Sequence, residues 1–283
     1  MPRVLLTGAT GKTGLAVLRA LARRGVQVRA LVHKPEYDTT VRDAGAAEIA
    51  RGDLLDAESL ERAADGVSAI YHICPNMHPD EVVIGERMVA AADAAGVRRF
   101  VYHSVLRPQI EAMSHHWQKM RVEEQLWSSG LELTVLQPAA LMQNLSVHWP
   151  RIVENGSFPL PYSPERIFTL VDLEDVAEAA AIVLTEPGHV GATYELCGPE
   201  NHSHLEIAEI FAAVSGRPVT VEQQSLEAWQ ASARAGGLDG YALESLAAMF
   251  RYYDRYGFVG NGRVLNMLLG REARSLRDVA ASW

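Results

Sequence analysis

Through the first half of the chain, short apolar runs alternate with stretches in which apolar residues recur every three or four positions. The runs fall at Val4–Thr7, Val26–Val32, Glu48–Arg51, Ala69–Ile73, Arg99–His103 and Leu133–Gln137. Their near-continuous aliphatic and β-branched character suits strands buried on both faces. Helical spacing occupies Thr13–Arg24, Asp56–Ala64, Asp80–Ala95 and Ser114–Ser129. Alternation of this kind predicts an α/β fold, a doubly wound parallel sheet with helices on both faces and ligands at the carboxyl ends of its strands.

After Pro138 the pattern changes. Pro150, Pro159, Pro161 and Pro164 punctuate a stretch without a period, which reads as an irregular excursion forming a lid or substrate wall. Asp172, Glu174 and Asp175 mark a helix start, and Tyr194–Cys197 reads as a strand rejoining the sheet. Helices are expected at Ser203–Ser215, Ser225–Arg234, Ala242–Tyr256 and Ser275–Ser282, with a short strand at Val219–Glu222. Ser203 with Glu206 forms a capping-box pattern. The expected organisation is a dinucleotide-binding domain over residues 1–145, to which 172–198 return. Residues 146–171 and 199–283 form a smaller, mostly helical substrate lobe with too few strands for a second sheet of any size.

The first strand runs directly into Gly8, Gly11 and Gly14, spaced G-x-x-G-x-x-G, and then into a helix. A turn free of side chains lets the backbone approach a pyrophosphate, and the helix N-terminus supplies free N–H groups and a partial positive charge. With the second strand this closes a unit of ~30 residues, the context that a Rossmann-type dinucleotide site requires. Thr10, Lys12 and Thr13 lie inside the turn. A phosphate-binding P-loop is disfavoured, because no Gly-Lys-Ser/Thr ends it.

An NAD site usually places an acid at the end of the second strand to accept from the ribose 2′-hydroxyl. Here that strand ends in His33 and Lys34, with Glu36 beyond Pro35. Basic groups there, with Lys12, complement a 2′-phosphate, so NADP(H) is favoured over NAD(H); solvated surface charges are the alternative. Asp53 either bonds the adenine amine, with Leu54 against the ring, or caps the next helix. Ile73, Cys74 and Pro75 end the fourth strand, where backbone lines the adenosine ribose.

Of the 283 residues, 48% are hydrophobic and 22% charged, ordinary for a soluble enzyme. The net charge of −9 argues against general nucleic-acid binding. No apolar run approaches the ~20 residues of a membrane span, and the opening Met1-Pro2-Arg3-Val4 reads as a strand start, not a signal peptide. Cys74 and Cys197 have apolar neighbours and read as buried thiols of a reducing cytoplasm. The ten histidines are scattered, so no metal site is expected.

Candidate chemistry gathers after the fifth strand. His115 and His116 lie four and three residues before Lys119, so either shares a helix face with it. A lysine near the nicotinamide ribose would hold its hydroxyls, and a histidine beside it would donate a proton after hydride transfer. An ordinary solvated face with a Lys119–Glu123 pair is the alternative.

Several motifs occur in a fixed order: Thr7 to Gly14, the Ser104 strand end, His116-x-x-Lys119-x-x-x-Glu123, Ser129-Gly130-Leu131 and Gln137-Pro138-x-x-Leu141-Met142-x-Asn144. Val171 to Ala177 and Tyr194 to Glu200 follow. In this order the chain resembles the NmrA-like branch of atypical short-chain dehydrogenases, to about residue 225. The resemblance implies an NADPH-dependent reductase of quinones or triphenylmethane dyes, with Pro138 beside the coenzyme and Ser104 at the superfamily's catalytic serine. It also carries the alternative of a non-catalytic regulator that senses NADP(H) and acts through a protein partner. An isomerase or lyase with the coenzyme as scaffold is a third reading.

The superfamily's Tyr-x-x-x-Lys departs here to His115 and Lys119, which points toward an electron-poor acceptor and away from alcohol–ketone interconversion. Met142, Gln143, Asn144, Trp149, Phe158 and Tyr162, with Tyr252, Tyr253 or Tyr256, would wall a flat conjugated small-molecule acceptor. The helical surface Tyr241–Tyr256 is a candidate homodimer contact.

Overall fold

In the computed structural model, residues 3–238 and 240–283 are described. Met1 and Pro2, where the expected strand start begins, lie outside the described residues, as does Asp239. The chain divides into two compact units. One runs to Gln109 and takes in Gln118–Gln137 and Leu173–Tyr194; the other comprises Ile110–Trp117, Pro138–Asp172 and Glu195–Trp283.

The first unit is built on β1 (Arg3–Leu6), β2 (Gln27–Val32), β3 (Glu48–Arg51), β4 (Ala69–His72), β5 (Arg99–His103), β6 (Glu132–Pro138) and β10 (Ala192–Leu196). They form one seven-stranded sheet in the order β10-β6-β5-β4-β1-β2-β3. The pairs β1–β2, β1–β4, β2–β3, β4–β5 and β5–β6 are all parallel. The winding reverses between β1 and β4, and in such sheets that reversal opens a crevice for ligands.

The inner strands are buried on both faces, as the apolar runs require, while the edge strands β3 and β10 are partly exposed: β4 is wholly buried, and Leu5, Ile70, Phe100, Leu133 and Val135 share one core with Leu60, Ile84, Met88 and Val122. The helices are α1 (Lys12–Arg23), α2 (Asp38–Asp43), α3 (Ala57–Ala64), α4 (Glu81–Ala94), α5 (Ser114–Trp127) and α7 (Leu173–Thr185). α1 packs on α7, whose Ala177, Ala180 and Ala181 are fully buried and permit close approach of the two backbones. The short α2 was not expected. Only Val41 of its six residues is buried, too few apolar positions to show a period.

The second unit corrects two expectations. The proline-punctuated stretch is regular: α6 (Trp149–Asn155) accommodates Pro150 in its first turn, Gly156 ends it at φ 68°, and β8 (Ser157–Leu160) follows. Small sheets also exist. β8 pairs in parallel with β12 (Thr220–Gln223). β9 (Ile167–Val171) pairs with β7 (Ala140–Leu141) and, antiparallel, with β11 (Asn201–Ser203). Strands of two to five residues show no period long enough to read.

The helices of this unit are α8 (His204–Ser215), α9 (Leu226–Ala235), α10 (Gly240–Tyr256), α11 (Arg263–Leu269) and α12 (Leu276–Ala280). The expected capping box is present, Ser203 accepting from Glu206 N–H and Glu206 accepting from Ser203 N–H. Phe158, Phe168 and Phe211 are fully buried in an aromatic core. Among the described residues, no helix is long and apolar enough to cross a membrane.

Candidate active site

The turn after β1 is shaped by contacts that only glycine permits. Gly8 has φ 61°, in the left-handed region, and a Cβ on it would lie 2.8 Å from the Ile73 carbonyl oxygen. A Cβ on Gly14 would lie 2.1 Å from the Gly8 carbonyl oxygen. Gly11 is different, since its nearest neighbour would be at 3.5 Å, an ordinary contact. Gly11 is the N-cap of α1, with no side-chain cap and no acid in the first turn. The amides and positive end of α1 are thus left for an anion, and the turn fits a pyrophosphate.

Thr7 ties this turn to the end of β4. Its hydroxyl accepts from Ile73 N–H at 2.9 Å and lies 2.8 Å from His72 Nδ1. Both groups sit where the sheet reverses. Ile73 and Cys74 are buried there and Pro75 is exposed; burial pushes the Cys74 thiol up, reinforced by Glu81 and opposed by Lys119.

At the ends of β2 and β3 the groups are exposed and mixed in sign. His33 Nδ1 is 3.5 Å from Asp53 Oδ2, while Lys34 and Glu36 are exposed. Asp53 does not cap α3: Asp56 is the N-cap residue, and Asp53 Oδ1 accepts from Leu55 N–H at 2.8 Å. Arg51, not anticipated from the sequence, donates to both carboxylate oxygens of Asp38 at 2.8 and 2.9 Å and to the Val32 carbonyl at 3.3 Å.

Behind the strand ends lies a buried polar cluster. Lys119 Nζ donates to Glu81 Oε1 at 2.5 Å, and the Tyr102 hydroxyl donates to the same oxygen at 3.1 Å. Glu81 is 1% exposed and Lys119 8%. The alternative of a solvated Lys119–Glu123 face is not what forms: Glu123 accepts from the Ser104 hydroxyl and, at 2.9 and 3.1 Å, from the Gln137 amide. Burial raises the Glu123 carboxyl, while Ser104, Gln137 and Lys119 oppose the rise.

His72 and Tyr102 are partners across β4 and β5 and stack at 5.9 Å. Burial, then Lys119 and His103, push His72 down to about 3. Among the described residues its buried Nε2 has no hydrogen-bond partner, so the neutral ring costs less there than the charged one. His103 lies 2.9 Å from the Tyr71 hydroxyl and is likewise pushed to about 3, by burial and then Lys119. Glu81, Tyr102 and His72 escaped sequence reading. An acid opening a helix is ordinary there, and a strand tyrosine reads as core.

The remaining sequence candidates belong to the second unit. His115 and His116 are buried, their rings edge-on at 4.4 Å, and His116 meets Phe258 edge-on at 5.6 Å. Met142 is buried and Asn144 exposed. Trp149 stands edge-on to Phe211 and Trp283 at 5.8 and 5.7 Å. Tyr162 is buried among Phe168, Phe250 and Tyr253, its hydroxyl 3.3 Å from His204 Nε2. Trp149, Phe158, Tyr162 and Tyr253 thus contribute to the unit's aromatic core. Gln143 donates to Asp172 at 2.6 Å.

The profile of the NmrA-like family matches residues 2–281. The chain belongs to the NmrA-like family. Among its relatives is an NAD(P)H azoreductase of Xenophilus azovorans, 28% identical over 98% of this chain and 96% of the relative. A (4-alkanoyl-5-oxo-2,5-dihydrofuran-3-yl)methyl phosphate reductase of Streptomyces griseus is 33% identical over 98% and 96%. The NADPH-dependent quinone oxidoreductase of Escherichia coli, solved with NADPH, superposes with a TM-score of 0.87 at 25% identity, over 99% of each chain. The glycine turn and the buried lysine of this NmrA-like chain thus stand in a fold that holds NADPH in a relative.

Proposed function

We propose that this chain is an NADP(H)-dependent reductase that delivers hydride to a small conjugated or quinone-like acceptor. The observation that carries the reading is the glycine cradle, whose Gly8–Gly14 approach leaves no room for a side chain while the first amides of α1 remain uncapped. The names of the relatives, reductases that use NAD(P)H, support it.

Within this reading Gly8, Thr10, Gly11, Lys12, Thr13 and Gly14 hold the pyrophosphate, and His33 and Lys34 meet the 2′-phosphate. Asp53 and Leu54 take the adenine, while Ile73, Cys74, Pro75 and Pro138 line the sugar-bearing side. A bound NADPH supplies the hydride. Lys119 orients the nicotinamide ribose through its ammonium protons, with Ser104 as a hydroxyl partner for the acceptor. Reduction by one hydride also needs one proton, which His115 or His116 gives. Met142, Asn144, Trp149 and Tyr162 face the acceptor in this assignment. The first unit is the coenzyme domain and the second the substrate lobe of a cytoplasmic protein without a nucleic-acid partner, with Tyr241–Tyr256 as a candidate surface for a homodimer.

The test is NADPH and NADH binding by calorimetry, then oxidation of each with quinones, azo dyes and enones. NADPH consumption that falls sharply in Lys119→Ala is the expected result. No heat with either nucleotide at millimolar concentration would overturn the assignment, and binding without consumption by any acceptor would favour the sensing regulator.

A further inference from the structure

Glu81 is the first residue of α4 and its carboxylate is out of water. It touches two groups from other elements of the same unit, the Lys119 ammonium of α5 and the Tyr102 hydroxyl of β5, both on Oε1. The ammonium lies 5.5 Å from the centre of the Tyr102 ring. Tyr102 in turn stacks on His72, which bonds Thr7 at the mouth of the glycine turn. One set of contacts therefore joins the lysine to the turn.

Stability alone does not account for this pair. Moving two charges out of water carries a desolvation penalty that their attraction often fails to offset, and apolar residues of similar volume often serve a fold as well or better. The pair does achieve something an apolar contact cannot. A lysine carries its charge on a flexible four-carbon arm, and fixing one N–H on a carboxylate restricts the ammonium to one place. Two of its three protons remain for other acceptors.

We propose that Glu81, steadied by Tyr102, is a positioning residue that holds the Lys119 ammonium in place for the nicotinamide ribose. This rests on the reductase reading above and adds to it a residue outside the expected Ser104, His115 and Lys119 set. Glu81 acts through Lys119 and touches neither coenzyme nor acceptor.

The test is a double-mutant cycle in the full chain, read as kcat and KM for NADPH-driven quinone reduction, with NADPH Kd and Tm measured on each variant. Glu81→Gln is expected to lower kcat by about tenfold to a hundredfold, as loss of an outer supporting contact does, while NADPH Kd moves less than about threefold. Glu81→Asp should recover part of the loss. In a Lys119→Met background, Glu81→Gln should lower the residual kcat by no further factor, since its effect passes through the lysine.

A wild-type kcat left intact by Glu81→Gln, or an equal loss in the Lys119→Met background, overturns the proposal. Should Glu81→Gln fail to fold, Tyr102→Phe replaces it in the same cycle, with a smaller loss expected and an unchanged kcat overturning the proposal. A wild-type protein that consumes no NADPH overturns the reductase reading and this inference together, so the two failures are distinguishable.

Discussion

Gly14 faces the carbonyl of Gly8 across the turn so closely that a Cβ on it would sit 2.1 Å from that oxygen. Nothing flexible can yield, because the neighbour is backbone. Gly14→Ala is therefore expected to shift the turn, lower stability by about 1–3 kcal/mol and abolish NADPH binding. Gly25 provides the contrast: its φ is 73°, with nothing within 4 Å of the added carbon. Gly25→Ala should cost about 1–2 kcal/mol with NADPH Kd unchanged. Urea midpoints and calorimetry on the two variants separate conformational strain from a damaged cradle.

His204 predicts acid sensitivity. It lies among Phe158, Tyr162 and Phe168, and burial, then His148, push it down to about 4. The unfolded chain binds its proton more tightly than the folded one. Stability is therefore complete above the ordinary histidine range and is lost as pH falls from about 6.5 toward about 4. Within that window the loss is about 1.4 kcal/mol per pH unit for this one group. Its Nδ1 is buried without a partner, so His204→Phe removes an unsatisfied atom at the expense of the Tyr162 contact. Urea unfolding of His204→Phe across this window should show a flatter slope; an unchanged slope would show that other groups set it. His72 and His103 add slopes of the same sign.

Glu123 works in the opposite direction. Its carboxyl is raised above the ordinary value, by burial first. The folded state then holds the proton more tightly than the unfolded state. Its contribution is present below the ordinary glutamate value and diminishes as pH rises through the raised one. Glu123→Gln keeps an acceptor for Ser104 and cannot ionise, so its stability should lose that decline. Equal pH slopes above the ordinary glutamate value in the wild type and the variant would remove Glu123 from the account.

What could be read from the sequence was what repeats or what bends. The strands of the central sheet carry continuous apolar runs, and the expected Glu48–Arg51 and Arg99–His103 coincide with β3 and β5. The glycine turn was legible because a strand precedes it and a helix follows. α2, β7 and β11 were not, being too short for a period to repeat clearly. Nor was the Lys119–Glu81 pair, formed between residues 38 positions apart. Helix spacing offered Glu123 to Lys119, whereas in the fold Ser104 and Gln137 engage Glu123 instead. Local spacing names the residues that are able to pair; the sheet order decides which of them do.

Coenzyme preference is the remaining prediction, and the end of β2 decides its form. His33 and Lys34 are exposed, and His33 stands 3.5 Å from Asp53 Oδ2. An exposed ion pair contributes about 0–1 kcal/mol, so a dianionic 2′-phosphate can displace Asp53 from His33 at little expense. Arg51 already donates twice to Asp38, and Lys34 and His33, with Lys12 from the turn, are the N–H donors proposed for that phosphate. Each charge-assisted contact to a phosphate is worth about 1.5 kcal/mol. Lys34→Ala and His33→Ala should each weaken NADPH by about tenfold and leave NADH within about twofold, because NADH has no group there to lose. The combined variant should bring the two affinities close together. Parallel weakening of both nucleotides would place these cations against the pyrophosphate, and no change in either would make them solvated surface charges.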